Sequence, residues 1–301
     1  MKQLVLAGLA LVSPIVFSGC SNPTQQQQFV SAGALQAAPS SESRGRVQPD
    51  AYYYLFVLQT GSQTVVKYPR NCGKRIAGFS TGTKDPEGIA VDNTGKVYIA
   101  NAADNSVTTY VKQKPSTPVI TSGLDHPLAV AVSNGIIYVA NYGANTITTY
   151  NSDGSPAKLT ITKGLDGPQG ILIDNAGKIY VTNGLNNTLT TYTRTGAPTT
   201  PTITNLSDPY GVVVSHQPEM KGYIFVANRS ADTIGVFTPT GTLEDTYTGF
   251  NEPEGMGYAQ GGALFAANYG NGTLWSSHGY CRGGLSGLDA PSGVALEPID
   301  N

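Results

Sequence analysis

Charge is scarce in this chain: Asp, Glu, Lys and Arg make up 13% of its 301 residues and leave a formal net charge of −2. No run of Lys or Arg is present. Counterion release can therefore supply little affinity for a phosphate backbone, and nucleic acid is not an expected partner. Histidine and cysteine occur three times each, with no Cys-x-x-Cys among them. No glycine-rich loop stands ahead of a helix to cradle a phosphate. What takes the place of charge is Gly, with 36 residues, together with Thr, Asn and Ser. That balance belongs to a turn-rich β protein.

The first twenty residues read as a targeting segment rather than as part of a fold. Lys2 supplies a positive start, and Leu4 to Phe17 form an apolar stretch too short for an ordinary membrane span. The stretch ends in Phe17-Ser18-Gly19-Cys20. Small residues ahead of a cysteine resemble the bacterial lipobox, in which the cysteine is lipidated and becomes the mature N-terminus; the alternatives are an ordinary cleaved signal or a membrane anchor. Acyl chains on Cys20 would tether the protein to a membrane without a spanning helix, the only membrane contact expected. By the sorting pattern of that lipoprotein family, Ser21 in place of Asp favours the outer membrane, facing the periplasm, where the host has one. Residues 21–50 are rich in Gln, Ser, Ala and Pro without a sustained period and read as a disordered tether.

From residue 51 to 301 the chain is repetitive. PEGIAVDNTGKVYIANAADNSVTTY, PLAVAVSNGIIYVANYGANTITTY and PQGILIDNAGKIYVTNGLNNTLTTY begin at Pro86, Pro127 and Pro168, 41 residues from one to the next, and weaker copies begin at Pro209, Pro253 and Pro291. Within a copy, Pro-x-Gly leads into an alternating apolar run, a turn such as Asp92-Asn93-Thr94-Gly95, a second run, a polar stretch, a third strand and a weaker fourth. Four antiparallel strands repeated near every forty residues predict the blades of a β-propeller. Five copies, the last spanning Pro253 to Ala290, are expected to be complete. Tyr52 to Gln59 aligns with a second strand and Thr64 to Tyr68 with a third, whereas Pro291 to Leu296 aligns with a first. The C-terminal strand is thus expected to complete the N-terminal blade, giving an all-β, six-bladed ring that hides its sheet edges.

The sequence Pro-x-Gly-(Ile/Val)-Ala-Val-Asp, followed by Ile-Tyr-Val-Ala-Asn and an Asn-Thr-Ile type of third strand, resembles the NHL and YVTN repeat propellers over about residues 52 to 297. The resemblance implies architecture more than activity, since such blades carry lyases, lactonases, redox enzymes and binding modules alike.

In propellers the connections into the first strand and between the second and third strands share one face around the channel. Two rings of residues are expected there. The x positions of Pro-x-Gly are Glu87, Leu128, Gln169, Tyr210, Glu254 and Ser292; the ends of the second strands are Gln59, Asn101, Asn141, Asn183, Asn228 and Asn268. Both rings are candidates for holding a polar ligand or a hard cation such as Ca²⁺ or Mg²⁺ through oxygen. Asparagine repeated at one place is also what a structural turn requires, because its side chain caps the following backbone. The x positions differ from copy to copy, and this singles out Glu87, Gln169, Tyr210 and Glu254.

Lactonase propellers of the gluconolactonase and paraoxonase kind resemble this chain in holding a divalent ion with Glu, Asn and Asp at the channel. The streptogramin lyases use a similar frame with His and Glu near Mg²⁺. Here His126 is placed on the channel-entry face and His216 and His278 on the opposite face, so no catalytic histidine pair can converge. With Cys20 lipidated, Cys72 and Cys281 remain as a candidate disulfide in adjoining blades. Against it, equivalent points on neighbouring outer strands are expected to lie beyond the bridging limit of roughly 7 Å unless the loops lean together. The reading favoured by the residues is a monomeric, non-catalytic propeller presenting its channel face to a protein, glycan or small polar ligand. A metal-assisted hydrolase or lyase and a structural envelope component are the alternatives, and no resident cofactor is required.

Overall fold

The computed structural model describes residues 54–297, apart from 70, 260, 278–280, 282 and 283. The segments expected to be a leader and a tether, with Cys20, and His278 lie outside the described residues.

The strands follow the repeat. The first blade begins with β1 (Tyr54–Gln59), β2 (Thr64–Pro69) and β3 (Ala77–Ser80), and the second holds β4 (Pro86–Val91), β5 (Val97–Asn101), β6 (Ser106–Val111) and β7 (Lys114–Ile120). The third consists of β8 (Pro127–Ser133), β9 (Ile136–Asn141), β10 (Thr146–Asn151) and β11 (Pro156–Ile161). The fourth has β12 (Pro168–Ile173), β13 (Ile179–Asn183), β14 (Thr188–Tyr192) and β15 (Pro198–Ile203). In the fifth are β16 (Pro209–Val214), β17 (Ile224–Asn228), β18 (Thr233–Phe237) and β19 (Leu243–Tyr247). The sixth contains β20 (Pro253–Tyr258), β21 (Leu264–Asn268) and β22 (Thr273–Ser276), and β23 (Pro291–Leu296) pairs antiparallel with β1 to complete the first. The chain is therefore an all-β, six-bladed propeller closed by its C-terminal strand.

One expectation fails. The copy from Pro253 to Ala290 is not complete: among the described residues its sheet has three strands, and an isolated bridge from Leu274 to Leu285 stands where a fourth would pair. The reason lies in the intervening loop, which carries Cys281 to Cys72 and turns at Gly284 and Gly287, both with positive φ.

The second strands are buried at every position, as in β5, β9 (after its first residue), β13, β17 and β21, because each blade is covered on both faces by its neighbours. That is why Ile-Tyr-Val-Ala-Asn reads as a continuous apolar run and not as an alternation. Each core cluster is shared between blades: Tyr98 and Val107 of the second pack with Val130 and Ile137 of the third. At the seam, Leu55 and Val57 pack with Phe265 and Ala267. Cys72 and Cys281 are bonded across the same seam, with Cα atoms 5.0 Å apart, so the loops do lean together.

Two repeated side chains staple blades internally and to one another. The Tyr that ends the third strand donates to a carbonyl of the preceding inter-blade link: Tyr110 to Thr81, Tyr150 to Ser122 and Tyr192 to Lys163. The Thr before it donates to the fourth strand, as Thr109 does to Pro118 and Thr149 to Leu159.

Candidate functional site

Each innermost strand opens with Pro, and the residue before that Pro lies in the left-handed region in all six copies: Asp85, His126, Gly167, Asp208, Glu252 and Ala290. The ladder then slips. Pro86 pairs with Asn101 but Gly88 pairs with Ala100, so Glu87 is the extra, unpaired residue of a β-bulge. The same slip follows Pro127, Pro168, Pro209, Pro253 and Pro291. A bulge turns a side chain out of the pleat, and here it turns the x residue of every blade toward the channel. The glycine after it permits the neighbouring strand to approach: a Cβ on Gly88 would stand 2.5 Å from the Leu128 carbonyl oxygen. Six such strands enclose a cavity of about 80 Å³ whose lining includes Glu87, Leu128, Gln169, Tyr210 and Ser292.

Across the channel Tyr210 donates to Glu87 Oε2 at 3.2 Å, joining the second blade to the fifth, which stands opposite it in the ring. Glu254 is 2% exposed, and its Oε1 lies 3.0 Å from Nε of Arg229, whose N–H is not aimed at it. The same guanidinium meets Glu252 at 3.2 Å and Asp208 at 3.9 Å on the rim, and lies 5.2 Å from the Tyr269 ring centroid. Gln169 donates to Asp208 at 3.0 Å. Among the described residues two buried oxygens have no partner: Glu254 Oε2 and Gln169 Oε1.

Burial, then repulsion from Asp85, push Glu87 up to about 8 against the hydrogen bond from Tyr210. Burial, then repulsion from Glu87, push Glu254 up to about 9; Arg229 pulls the other way, but its charge is shared with Glu252 and Asp208. Tyr210 is held well above the ordinary phenol range by burial and by Glu87. At neutral pH the mouth therefore holds protonated carboxyls able to donate as well as accept.

The asparagine ring sits just outside this cluster. Asn141 donates to Thr146 and Thr148 and accepts from the Asp125 amide, and Asn183 repeats the pattern with Thr188, Thr190 and Asp166. Asn101 donates to Ser106 and Thr108 and accepts from Thr83. Asn228 and Asn268 accept from the amides of Ser207 and Asn251. These amides hold backbone. His126 is exposed beside Tyr142, and His216 is exposed after β16. A divalent ion needs several oxygens turned on one point. Here Glu87 is engaged by Tyr210, while Asp208, Glu252 and Glu254 face a guanidinium, so the donor set does not fit a resident Ca²⁺ or Mg²⁺.

Sequence reasoning missed Arg229. The residue after each second strand varies as the x position does, being Thr60, Ala102, Tyr142, Gly184, Arg229 and Tyr269, and that variation was a signal of the same kind. It also took a Gly-x-Ser-x-Gly turn of the hydrolase kind to be absent, which is wrong: Gly78-Phe79-Ser80-Thr81-Gly82 has that spacing. The segment overlaps outer strand β3, no helix follows it, and among the described residues the exposed Ser80 hydroxyl meets the Gln63 carbonyl and the Gly82 amide, with no base beside it.

No protein-family model matches the sequence, and no curated protein is similar to it. Among solved structures, a chain of a nidogen/laminin complex aligns with 82% of this chain and 98% of its own length at 16% identity and a TM-score of 0.68. A streptogramin B lyase aligns over 83% and 74% at 18% identity with a TM-score of 0.53. A virginiamycin B lyase from Staphylococcus aureus aligns over 66% and 68% at 19% identity with a TM-score of 0.51. At these identities the likeness is one of fold: β-propellers that include an enzyme and a member of a protein complex.

Proposed function

We propose that this chain is a monomeric, lipid-anchored propeller of the NHL and YVTN kind that binds a small polar ligand or glycan at its channel mouth, outside the cytoplasm. The observation that carries the reading is the pair of buried, unpartnered oxygens, Glu254 Oε2 and Gln169 Oε1, at positions that differ between otherwise repetitive blades. An unsatisfied buried polar group costs about 1–3 kcal/mol, which a ligand carrying hydroxyls would recover by donating to Gln169 Oε1 and accepting from the protonated carboxyl of Glu254. Such a ligand sits above the Tyr210–Glu87 bond and reaches Glu254 and Gln169 from the rim.

The test is a glycan and polyol panel read by thermal shift and calorimetry, with Glu254→Leu and Gln169→Leu beside the parent chain. Binding lost in both variants supports the site; a bound ligand indifferent to both removes it. The anchor is tested apart, by Cys20→Ala: acyl mass on the mature N-terminus and membrane recovery should both disappear. A second reading rests on the two raised carboxyls, which suit a metal-free general acid at neutral pH. Turnover of a lactone by the parent chain and not by Glu87→Gln would favour it.

A further inference from the structure

The turn between the first and second strands is the same in the second and fourth blades and different in the third. Asp92 accepts from the amides of Thr94 and Lys96 and from the Tyr98 hydroxyl at 3.0 Å; Asp174 does the same for Ala176, Lys178 and Tyr180. Lys96 and Lys178 then lie over the Tyr98 and Tyr180 rings and donate to the carbonyls of Thr117 and Thr200. Tyrosine, aspartate and lysine close the seam in both blades.

In the third blade the turn is two residues, Asn134-Gly135, between paired Ser133 and Ile136. Serine stands where the Asp stood and isoleucine where the Lys stood. The hydroxyl of Tyr138, a residue in register with Tyr98 and Tyr180, has no hydrogen bond among the described residues, and a cavity of about 260 Å³ opens beside it toward the fourth blade. The cation reappears elsewhere. Ile120, Ile161 and Ile203 are equivalent by their pairing with Val107, Ile147 and Leu189, so Lys158 takes the place of Thr117 and Thr200. From the fourth blade Arg194 lies across Gly177, where a Cβ would stand 3.2 Å from its Cδ. Lys158 and Arg194 both line the cavity, neither has an acidic partner among the described residues, and no Asp or Glu is in the lining. The floor is apolar: Ile136, Leu159 and Ile173 beside the Tyr138 ring.

We propose that this cleft, on the face opposite the channel mouth, binds a small organic carboxylate, its charge between Arg194 and Lys158 and its apolar body on Tyr138, Ile136, Leu159 and Ile173. Guanidinium recognises carboxylate through two parallel N–H donors. Burial raises the Tyr138 phenol above its ordinary range, which keeps its hydroxyl a donor. The volume lies just under the roughly 300–1,000 Å³ usual for small-molecule sites, which favours a compact ligand.

Calorimetry and ligand-observed NMR on the full chain test this with benzoate and hexanoate, benzamide as the neutral isostere and inorganic phosphate as a bare anion. Saturable binding is expected for at least one carboxylate, with benzamide and phosphate roughly tenfold weaker or absent. Arg194→Ala with Lys158→Ala should abolish binding at an unchanged melting temperature, both side chains being exposed. Ser133→Asp with Ile136→Lys rebuilds the arrangement of the sister blades and should also abolish it, with both cations in place. No saturable binding of either carboxylate, equal binding of benzamide or phosphate, or binding unaffected in both double variants would each overturn the proposal.

Discussion

At the scale of single residues, the mouth carboxyls govern how stability responds to pH. Folded Glu87 and Glu254 keep their protons to about 8 and 9, whereas in the unfolded chain they lose them near 4.5. Between those limits the folded state binds more protons than the unfolded state, so stability is greatest below the unfolded value and falls as pH rises toward the folded one. The decline runs through the pH window in which the unfolded chain has released these protons and the folded chain still holds them. Denaturant titrations from pH 5 to pH 9 should show this decline. Glu254→Gln, which keeps the shape and removes the titration, should make it shallower; an unchanged slope would mean that Glu254 is ionised beside Arg229 throughout. The arrangement was half legible in the sequence. Glu87, Gln169, Tyr210 and Glu254 stood out because a scaffold residue repeats and they do not. What was hidden was the bulge that aims them, since a bulge is a relation between two strands and leaves no mark on one.

At the scale of elements, the Tyr that closes the third strand of the second, third and fourth blades explains why Thr-Thr-Tyr recurs. In Tyr150 the hydroxyl meets the Ser122 carbonyl at 2.7 Å while the ring lies 2% exposed in the core shared with the second blade. Tyr150→Phe keeps the ring and removes one bond, leaving a carbonyl without its donor. A loss of about 1 kcal/mol is expected, read as a lower denaturant midpoint at unchanged slope. The fifth blade already has Phe237 at this place. Strand boundaries were legible because Pro begins every innermost strand and a polar turn separates the rest. The missing strand of the sixth blade was not, because Gly-rich sequence around Cys281 fits a weak fourth strand as well as a loop until the partner of Cys281 is known.

At the scale of the whole molecule, the ring is closed twice on one side, by β23 on β1 and by Cys72 with Cys281, 209 residues apart. Either closure alone leaves the first and last blades joined. Deleting residues 291–301 should therefore be severe: it strips the inner strand from the first blade, exposes the β1 edge and removes the packing of Val294 and Ala295. A melting temperature unchanged in that truncation would contradict the closure. The intact chain should also lose stability under reductant, by about 2–4 kcal/mol.

The position of β23 also sets a clock. Synthesis delivers the first blade's outer strands at the start and its inner strand more than two hundred residues later. Every other blade receives its inner strand first and can assemble as it emerges, at about 5–20 residues per second. The first blade to be synthesised is thus the last to be completed, and whatever machinery handles the newborn chain meets an open arc with two bare ends until β23 has emerged.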